Sequence, residues 1–411
     1  MSNFLSCNDY DRAEKFASGN FSIRVNQAFH PDMFSTVGYP SRVDDEQQLW
    51  RYVDVMHESR TEYNLNVLLA GLTEHEFYLF QKVTKIVDDF SSRSFNRRAH
   101  ATSALLRAIH VLRSIKAVTG EKRPTILEVG PGCGYLGMLL VIEGFPYIST
   151  DVAQAFYLYQ NRMMGLVAKE LIELATDERG IDSVIEMQPY TAVHIPWWKW
   201  ITFNPENIKI EVGLITCNHC FCEMHPGSLA YLAAISKVLL NRGSSHGCIV
   251  FDEWGYDLLR SEQHVLNKFQ EFGFRLCHNE DGVSALATEV ESKNWQVFHN
   301  NVLVKKKRSK IERFKVKLNK FSNKLISKLS PSTKSNVSDP QDQPRFKTEG
   351  RIPDFFGYNP LSNAIRAGRA KEAAVAKYDL NEILSFLNAY FDGSIPENED
   401  EKFFRMINSV Y

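Results

Sequence analysis

Four glycines follow a short apolar run in ILEVGPGCGYLG, which covers residues 126–137. They are Gly130, Gly132, Gly134 and Gly137, and the last three have the spacing G-x-G-x-x-G. Glycines that follow a strand let the backbone approach a ligand closely, and amides at the start of the next helix can bind its polar atoms. The spacing alone does not identify the ligand, because a dinucleotide and S-adenosylmethionine both fit it.

The acid that precedes these glycines distinguishes between the two candidate ligands. Glu128 gives the order Glu-Val-Gly-Pro-Gly-Cys-Gly over residues 128–134. A carboxylate in this position repels the pyrophosphate of a dinucleotide, whereas it attracts the ammonium group in the methionyl part of S-adenosylmethionine. Glu128 therefore favours S-adenosylmethionine.

A second acid ends the next apolar run, YISTD. Asp151 stands seventeen residues after Gly134, where an acid accepts hydrogen bonds from the two ribose hydroxyls of a bound nucleoside. Both candidate ligands carry those hydroxyls, so Asp151 indicates nucleoside binding without choosing between them. The alternative role for the same side chain is to cap the helix that follows, and the two roles are compatible.

Histidines and acids that suit proton transfer occur in ITCNHCFCEMHPG, residues 215–227. An acceptor hydroxyl needs a base as the methyl group is transferred, and histidine titrates in the right range. His219 directly follows the predicted fourth strand, so we expect it to be the base. Glu223 and His225 are candidates for a substitute base and for an orienting or sugar-binding residue, and Asn218 is a candidate cofactor contact. The alternative for His219 is a bond to its own loop.

The same segment raises the question of a metal. Cys217 and Cys220 form a C-x-x-C pair, which zinc favours, but no second pair follows at the usual spacing. We interpret these cysteines as small buried side chains and expect no metal. Asp252 and Glu253 could hold Mg²⁺ beside a substrate diol, although such acids are more often hydrogen-bonded or solvated.

Short apolar runs alternate with helical stretches from Thr125 onward, as is typical of a parallel sheet with helices on both faces. The predicted strands are 125–129, 146–150, 183–187, 211–217, 247–252, 273–278 and 295–304. The predicted helices include 135–143, 153–174, 226–240 and 257–271. No helix-length segment separates the last two strands, so we expect an antiparallel strand to close the sheet.

With Glu-Val-Gly-Pro-Gly-Cys-Gly, Asp151 and seven predicted strands, residues 100–305 resemble the class I S-adenosylmethionine-dependent methyltransferases. The resemblance implies an α/β fold with a doubly wound, seven-stranded sheet and S-adenosyl-L-methionine as cofactor. It places the cofactor contacts at Glu128, Gly130, Gly132, Gly134 and Asp151. More faintly, STDVAQAFYLYQN and CNHCFCEMHPGSLAYL are similar to sugar O-methyltransferases of bacterial surface-polysaccharide pathways, which implies O-methylation of a sugar hydroxyl in a glycan or lipid-linked glycan.

This interpretation divides the chain into four regions. We expect an N-terminal helical substrate or lid region at 1–120, the cofactor-binding domain at 121–304, a basic amphipathic helix and linker at 305–349, and a C-terminal helical region at 350–411. Two other functions stay open: an NAD-dependent oxidoreductase that uses residues 132–137, and a methyltransferase-like protein that binds the cofactor without turnover.

The basic segment carries eleven Lys or Arg and one acid between Lys305 and Lys328. Apolar residues recur in it at three- and four-residue steps, so the helix could lie in an anionic membrane interface or pack on the enzyme body. Nucleic acid is the less favoured partner. The polar N-terminus lacks the pattern of a signal peptide, no apolar run reaches the length of a membrane span, and the seven cysteines suggest reduced thiols. We therefore expect a cytoplasmic protein, with a peripheral membrane contact through 305–329 as one use of this segment.

Overall fold

The computed structural model describes most of the chain between residues 4 and 288. The described ranges are 4–21, 23–29, 41–50, 72–99, 102–181, 187–202, 209–243, 248–252, 261–278 and 283–288, with Val184 and Trp254. The predicted strand at 295–304, the basic segment, the C-terminal region and Glu253 lie outside these ranges, so those predictions stay predictions.

Eight strands of the described residues form one sheet. They are β1 (Thr125–Val129), β2 (Tyr147–Asp151), β3 (Glu170–Glu173), β4 (Thr191–Pro196), β5 (Val212–Thr216), β6 (Cys248–Asp252), β7 (Phe274–His278) and β8 (Val283–Thr288). Their order is β3-β4-β2-β1-β5-β6-β8-β7. The six strands from β3 to β6 in this order are parallel, and β8 is antiparallel to both of its neighbours.

Helices connect and cover these strands. The described residues form α1 (Cys7–Ser18), α2 (Ile23–Ala28), α3 (Glu74–Phe95), α4 (Thr102–Thr119), α5 (Tyr135–Ile142), α6 (Gln154–Val167), α7 (Trp197–Trp200), α8 (Pro226–Gly243) and α9 (Glu262–Glu271). The chain moves from β1 to β2 in one direction and from β5 to β6 in the other. Since parallel crossovers are right-handed, this reversal puts α5 and α6 on one face of the sheet and α8 and α9 on the opposite face.

The α/β fold and its doubly wound order confirm the prediction, but the sheet departs from it in three places. The described sheet has eight strands rather than seven, because β3 and β8 are additional to the predicted strands, while the strand predicted at 295–304 lies outside the described ranges. β3 is an edge strand where the sequence predicted the end of a helix over 153–174. Only Val184 and Met187 of the strand predicted at 183–187 are described, and neither lies in a strand; the described strand of this region is β4, at Thr191–Pro196. The antiparallel strand of the described sheet is β8, at Val283–Thr288, and it lies between β6 and β7 instead of closing the sheet at its edge.

Helix α6 is buried on all sides, and this explains the polar residues in it. Every residue from Gln154 to Met164 is buried. The N-terminal segment covers the helix: the amide of Leu5 donates to Asn161 Oδ1 (3.0 Å), and the Gln154 side chain exchanges hydrogen bonds with the backbone of Val43 (2.8 and 3.2 Å). The polar side chains of α6 thus hold the start of the chain against the sheet domain.

The same segment contacts α7. The indole N–H of Trp197 donates to Glu14 Oε1 at 2.6 Å, and Tyr10 packs edge-on against Trp198. No helix in the described part of the chain is long and apolar enough to cross a membrane.

Candidate active site

A pocket lies at the carboxyl ends of β1, β2, β5 and β6, where the strand order reverses. Ligands of doubly wound folds bind at this point. The pocket brings together eight of the nine residues that the sequence singled out, namely Glu128, Gly130, Gly132, Asp151, Asn218, His219, Glu223 and His225. Gly134, the ninth, is not among its described lining residues.

The glycine loop is built on left-handed backbone. Gly130, Gly132 and Gly134 have φ values of 67°, 58° and 75°, which glycine adopts without strain. A Cβ at Gly130 would lie 3.0 Å from Cys220 Sγ, so that glycine also allows close packing of the loop after β5. Gly134 starts α5, and a Cβ there would face Gln160 on α6 instead of the pocket.

Glu128 is 1% exposed and lies near the end of β1, which pairs with β5. Tyr147 Oη donates to its Oε2 at 2.6 Å, and Asn218 Nδ2 donates to its Oε1 at 3.2 Å. No cation among the described residues forms an ion pair with it. Burial raises the pKa of Glu128 to about 7, although the hydrogen bonds from Tyr147 and Asn218 favour the charged form. A carboxylate in this state is stabilised by a positively charged ligand.

Asp151 is 6% exposed at the end of β2. Its Oδ1 accepts from the amide of Ala153 (2.9 Å), and its Oδ2 accepts from Gln160 Nε2 (2.8 Å). Burial raises the pKa of Asp151 to about 6, while these hydrogen bonds act in the opposite direction. Each carboxylate oxygen can accept a second bond, so the group can still bind a diol. The cap of α6 is Ala153, so Asp151 holds the preceding turn rather than the helix end.

The loop after β5 is fastened to the end of β6. The amide of His219 donates to the carbonyl of Asp252 (3.1 Å), and the amide of Asp252 donates to Asn218 Oδ1 (2.9 Å). The amide of Cys222 donates to the carbonyl of Trp254 (2.8 Å). Asn218 therefore links β6 to Glu128 on β1, and the loop is a fixed platform in the pocket.

His219 and Asp252 form an acid–imidazole pair in this platform. His219 Nε2 lies 3.6 Å from Asp252 Oδ2, and the same oxygen accepts from Arg107 Nε at 2.8 Å. Burial by itself would raise the pKa of Asp252, but Arg107 and His219 hold it well below its usual range. Asp252 is thus an ionised carboxylate that faces the imidazole, and all three residues line the pocket.

Glu223 and His225 lie farther along the same wall. Glu223 ends a short 3-10 helix, Phe221–Glu223. The Nδ1 atom of His225 accepts from the amide of Gly227 (3.0 Å), and its carbonyl accepts from Ser228 Oγ (2.9 Å). His225 therefore acts as a cap at the start of α8, which leaves His219 as the histidine that a carboxylate orients.

The cysteines of this region, Cys217, Cys220 and Cys222, are thiols that form no disulfide bond. Cys217 and Cys222 are fully buried, and Cys217 Sγ lies 2.9 Å from Cys220 Sγ. Within the described ranges, no group of three His, Cys, Asp or Glu side chains could hold a metal ion. The side chains that line the pocket include acids, an amide and imidazoles.

Sequence reasoning missed several residues of the site. Arg107 stands on α4 between Ala104 and Ala108, which also line the pocket. The available signal was an arginine inside the otherwise apolar run ALLRAIHVL of this helix. Tyr147 gave no signal, because a tyrosine at the start of a strand usually packs in the core and its partner Glu128 is nineteen residues away. From the sequence Asp252 is a candidate for binding Mg²⁺, and nothing in the sequence indicates that it pairs with His219.

No protein-family model matches the chain, and no curated protein matches it. Solved structures that match include the glycopeptide N-methyltransferase MtfA complexed with sinefungin, at 12% identity over 53% of this chain and 98% of that chain, with a TM-score of 0.30. Another is the magnesium protoporphyrin IX methyltransferase ChlM from Synechocystis PCC 6803 with bound SAM, at 11% identity over 50% and 97%, with a TM-score of 0.27. At such identities and TM-scores, no conclusion about the ligand follows from these matches.

Proposed function

We propose that this protein is an S-adenosyl-L-methionine-dependent methyltransferase that methylates a hydroxyl group. The observation that carries the proposal is Glu128, a buried carboxylate at the reversal of strand order that has no ion-pair partner among the described residues. Burial of a charge without a partner is unfavourable. It becomes favourable when a ligand brings a cation to that place.

Glu128 and Asp151 together select the ligand. The ammonium group of S-adenosyl-L-methionine complements Glu128, and its ribose diol complements Asp151. A nicotinamide dinucleotide has the diol as well, but its pyrophosphate would lie against a carboxylate. The glycine loop supports either ligand, so the charge at Glu128 is the feature that favours S-adenosyl-L-methionine over the oxidoreductase alternative.

His219 is the proposed base. When bound, S-adenosyl-L-methionine supplies a methyl group that an acceptor oxygen can attack. The bound cofactor would supply the methyl group and leave as S-adenosylhomocysteine, while the O–H proton of the acceptor would pass to the imidazole of His219. Asp252 orients the imidazole and stabilises the imidazolium, while Arg107 holds Asp252 in its ionised state.

A sugar hydroxyl in a glycan or lipid-linked glycan is the acceptor that we propose. The wall of the pocket beyond His219 combines Glu223 and His225 with the aromatic rings of Phe29 and Trp200. Carboxylate and imidazole groups can bind sugar hydroxyls, and an aromatic ring can cover the apolar face of a pyranose. This combination, together with the resemblance of the loop after β5, supports a sugar.

Calorimetric titration with S-adenosylhomocysteine, S-adenosyl-L-methionine and NAD tests the cofactor. We expect the first two to bind, and Asp151→Ala to weaken binding about tenfold or more, because it removes charge-assisted hydrogen bonds of roughly 1.5–3 kcal/mol. Asp177→Ala is the matched control, since Asp177 pairs with Arg179 and does not line the pocket. Binding of NAD alone would replace the proposal with the oxidoreductase. Binding of S-adenosyl-L-methionine without label transfer to any hydroxyl acceptor would favour the non-catalytic alternative.

A further inference from the structure

A buried amide joins the two halves of the nucleoside site. Gln160 on α6 is 1% exposed, and its Nε2 donates to the carbonyl of Gly132 and to Asp151 Oδ2, both at 2.8 Å. The glycine loop and the acid at the end of β2 therefore share one donor group. The position of Asp151 relative to the loop is fixed by this side chain.

The two acceptors also fix the orientation of the amide, because only its nitrogen can donate to two oxygens. The Oε1 atom of Gln160 must then be the atom that faces His194 Nε2, at 3.2 Å. A carbonyl oxygen only accepts, so His194 Nε2 carries a hydrogen.

The other ring nitrogen of His194 faces a carboxylate that is surrounded by donors. His194 Nδ1 lies 2.9 Å from Glu173 Oε2. Glu173 also accepts from Tyr157 Oη, from Asn161 Nδ2 (2.8 Å) and from the amide of Ala175 (2.8 Å). Donors on both oxygens of Glu173 favour a carboxylate, and a carboxylate accepts a hydrogen from the nitrogen that faces it.

With a hydrogen on each ring nitrogen, His194 would be an imidazolium inside the protein. It is 0% exposed and stacks on the Tyr157 ring, with 3.5 Å between centroids and 11° between planes. The charged groups on either side are Glu173 on β3 directly and Asp151 on β2 through Gln160. A buried cation between two carboxylates has the partners that it requires.

We infer that Gln160 and the His194 cation are positioning residues for the nucleoside half of the cofactor, which keep Asp151 ionised and hold it at the glycine loop. The inference rests on the proposed function for the identity of the ligand. An ionised Asp151 can accept from both ribose hydroxyls, whereas a protonated one would use one oxygen as a donor. The charge of His194 also acts against the rise in the pKa of Asp151 that burial causes.

The protonation of His194 can be measured without any ligand. In protein labelled with ¹⁵N-histidine, the signals of His194 are those absent from His194→Gln. We expect the ring of His194 to show two protonated nitrogens at pH 7. A spectrum in which one ring nitrogen of His194 is unprotonated at pH 7 would overturn the inference, whichever cofactor the protein binds.

The positioning role is tested by titration with S-adenosylhomocysteine between pH 6 and pH 9. Gln160→Leu should weaken binding by about tenfold or more, since it removes one charge-assisted hydrogen bond. His194→Gln, which keeps a polar group without the charge, should bind more weakly and with a flatter pH profile than the natural chain. Gln263→Leu is the control, because Gln263 is exposed and bonds only to Asn267 in its own helix.

The outcomes separate the two proposals. If the natural chain binds no S-adenosylhomocysteine, the proposed function fails, and the histidine spectrum alone decides on His194. If the natural chain binds and both Gln160→Leu and His194→Gln bind equally well with the same pH profile, the positioning role is wrong. If Gln160→Leu does not fold, His194→Gln and Gln160→Met carry the same comparison.

Discussion

His219 has a backbone conformation that a histidine rarely adopts. Its φ of 58° is left-handed, which costs a non-glycine residue on the order of 1 kcal/mol. The hydrogen bonds from the His219 amide to Asp252 and from the Asp252 amide to Asn218 offset this cost. The strained position is therefore held by the same contacts that bring the imidazole to Asp252.

This geometry decides which substitution tests the base. Asn adopts left-handed backbone more readily than Ala does, so His219→Asn removes the imidazole and spares the loop. We expect turnover to fall by about 10²–10⁴-fold, with the affinity for S-adenosylhomocysteine kept within about threefold. Initial rates of methyl transfer and a titration measure both quantities. A variant that keeps more than a third of the activity would move the role of base to Glu223 or His225.

That the predicted cofactor contacts lie close together could be deduced from the sequence, because they depend on residue types at short spacing. Glu128, Gly130, Gly132 and Asp151 all line the pocket as the sequence suggested. The groups that control these residues come from elsewhere in the chain. Arg107 bonds to Asp252 across 145 residues, and a single sequence carries no signal for such a pair.

At the level of secondary structure elements, the last glycine of the motif serves packing. Gly137 lies on α5 against Tyr147, and a Cβ there would come within 2.5 Å of the tyrosine ring and hydroxyl. Tyr147 is 1% exposed and donates to Glu128. The missing side chain of Gly137 is what lets Tyr147 reach that carboxylate.

Gly137→Ala should therefore destabilise the protein even though alanine is the better helix former. The gain in helix propensity is about 1 kcal/mol, whereas overpacking against a buried ring costs about 1–3 kcal/mol and displaces the tyrosine. We expect a net loss in the free energy of unfolding and weaker binding of S-adenosylhomocysteine. Urea unfolding and a titration give the two values.

Gly19→Ala is the control for that substitution. Gly19 has a φ of −62°, and a Cβ there would meet nothing closer than 3.6 Å. The free energy of unfolding of Gly19→Ala should therefore stay within about 0.5 kcal/mol of that of the natural chain. Equal stability of Gly137→Ala and the natural chain would show that Tyr147 can shift freely.

Strands β3 and β4 were not predicted at their observed positions, and both have weak local sequence patterns. β3 is four residues long, and its Leu171 and Ile172 fit the apolar period of the helix that precedes it. β4 contains His194, a polar residue that is fully buried by its contacts with Gln160 and Glu173. Periodicity cannot detect a strand whose buried polar residue is satisfied by distant partners.

For the whole molecule, Glu128 and Asp151 link stability to pH. Their pKa values rise from 4.5 and 3.8 to about 7 and about 6 on folding. The folded state binds these protons more tightly than the unfolded state. The resulting stabilisation is complete below about pH 4 and is lost as the pH rises through about 7.

Glu128→Gln should show this loss directly in the ligand-free protein. The amide cannot ionise. The free energy of unfolding of Glu128→Gln, relative to that of the natural chain, should therefore rise by about 2 kcal/mol between pH 5 and pH 8. Free energies of unfolding at the two pH values measure the change. Glu121→Gln, which replaces an exposed acid, should show no such trend. A constant difference between Glu128→Gln and the natural chain would mean that Glu128 is ionised throughout this range.

The N-terminal segment packs over α6 and α7, and it is therefore synthesised well before the residues that it contacts. Leu5 bonds to Asn161 and Glu14 to Trp197, pairs that are 156 and 183 residues apart. At roughly 5–20 residues per second, the first partner leaves the ribosome about 8–40 s before the second. During synthesis, Leu5 and Tyr10 therefore stay exposed to chaperones and proteases for that interval. A chain refolded from denaturant has all its segments present at once and meets no such delay.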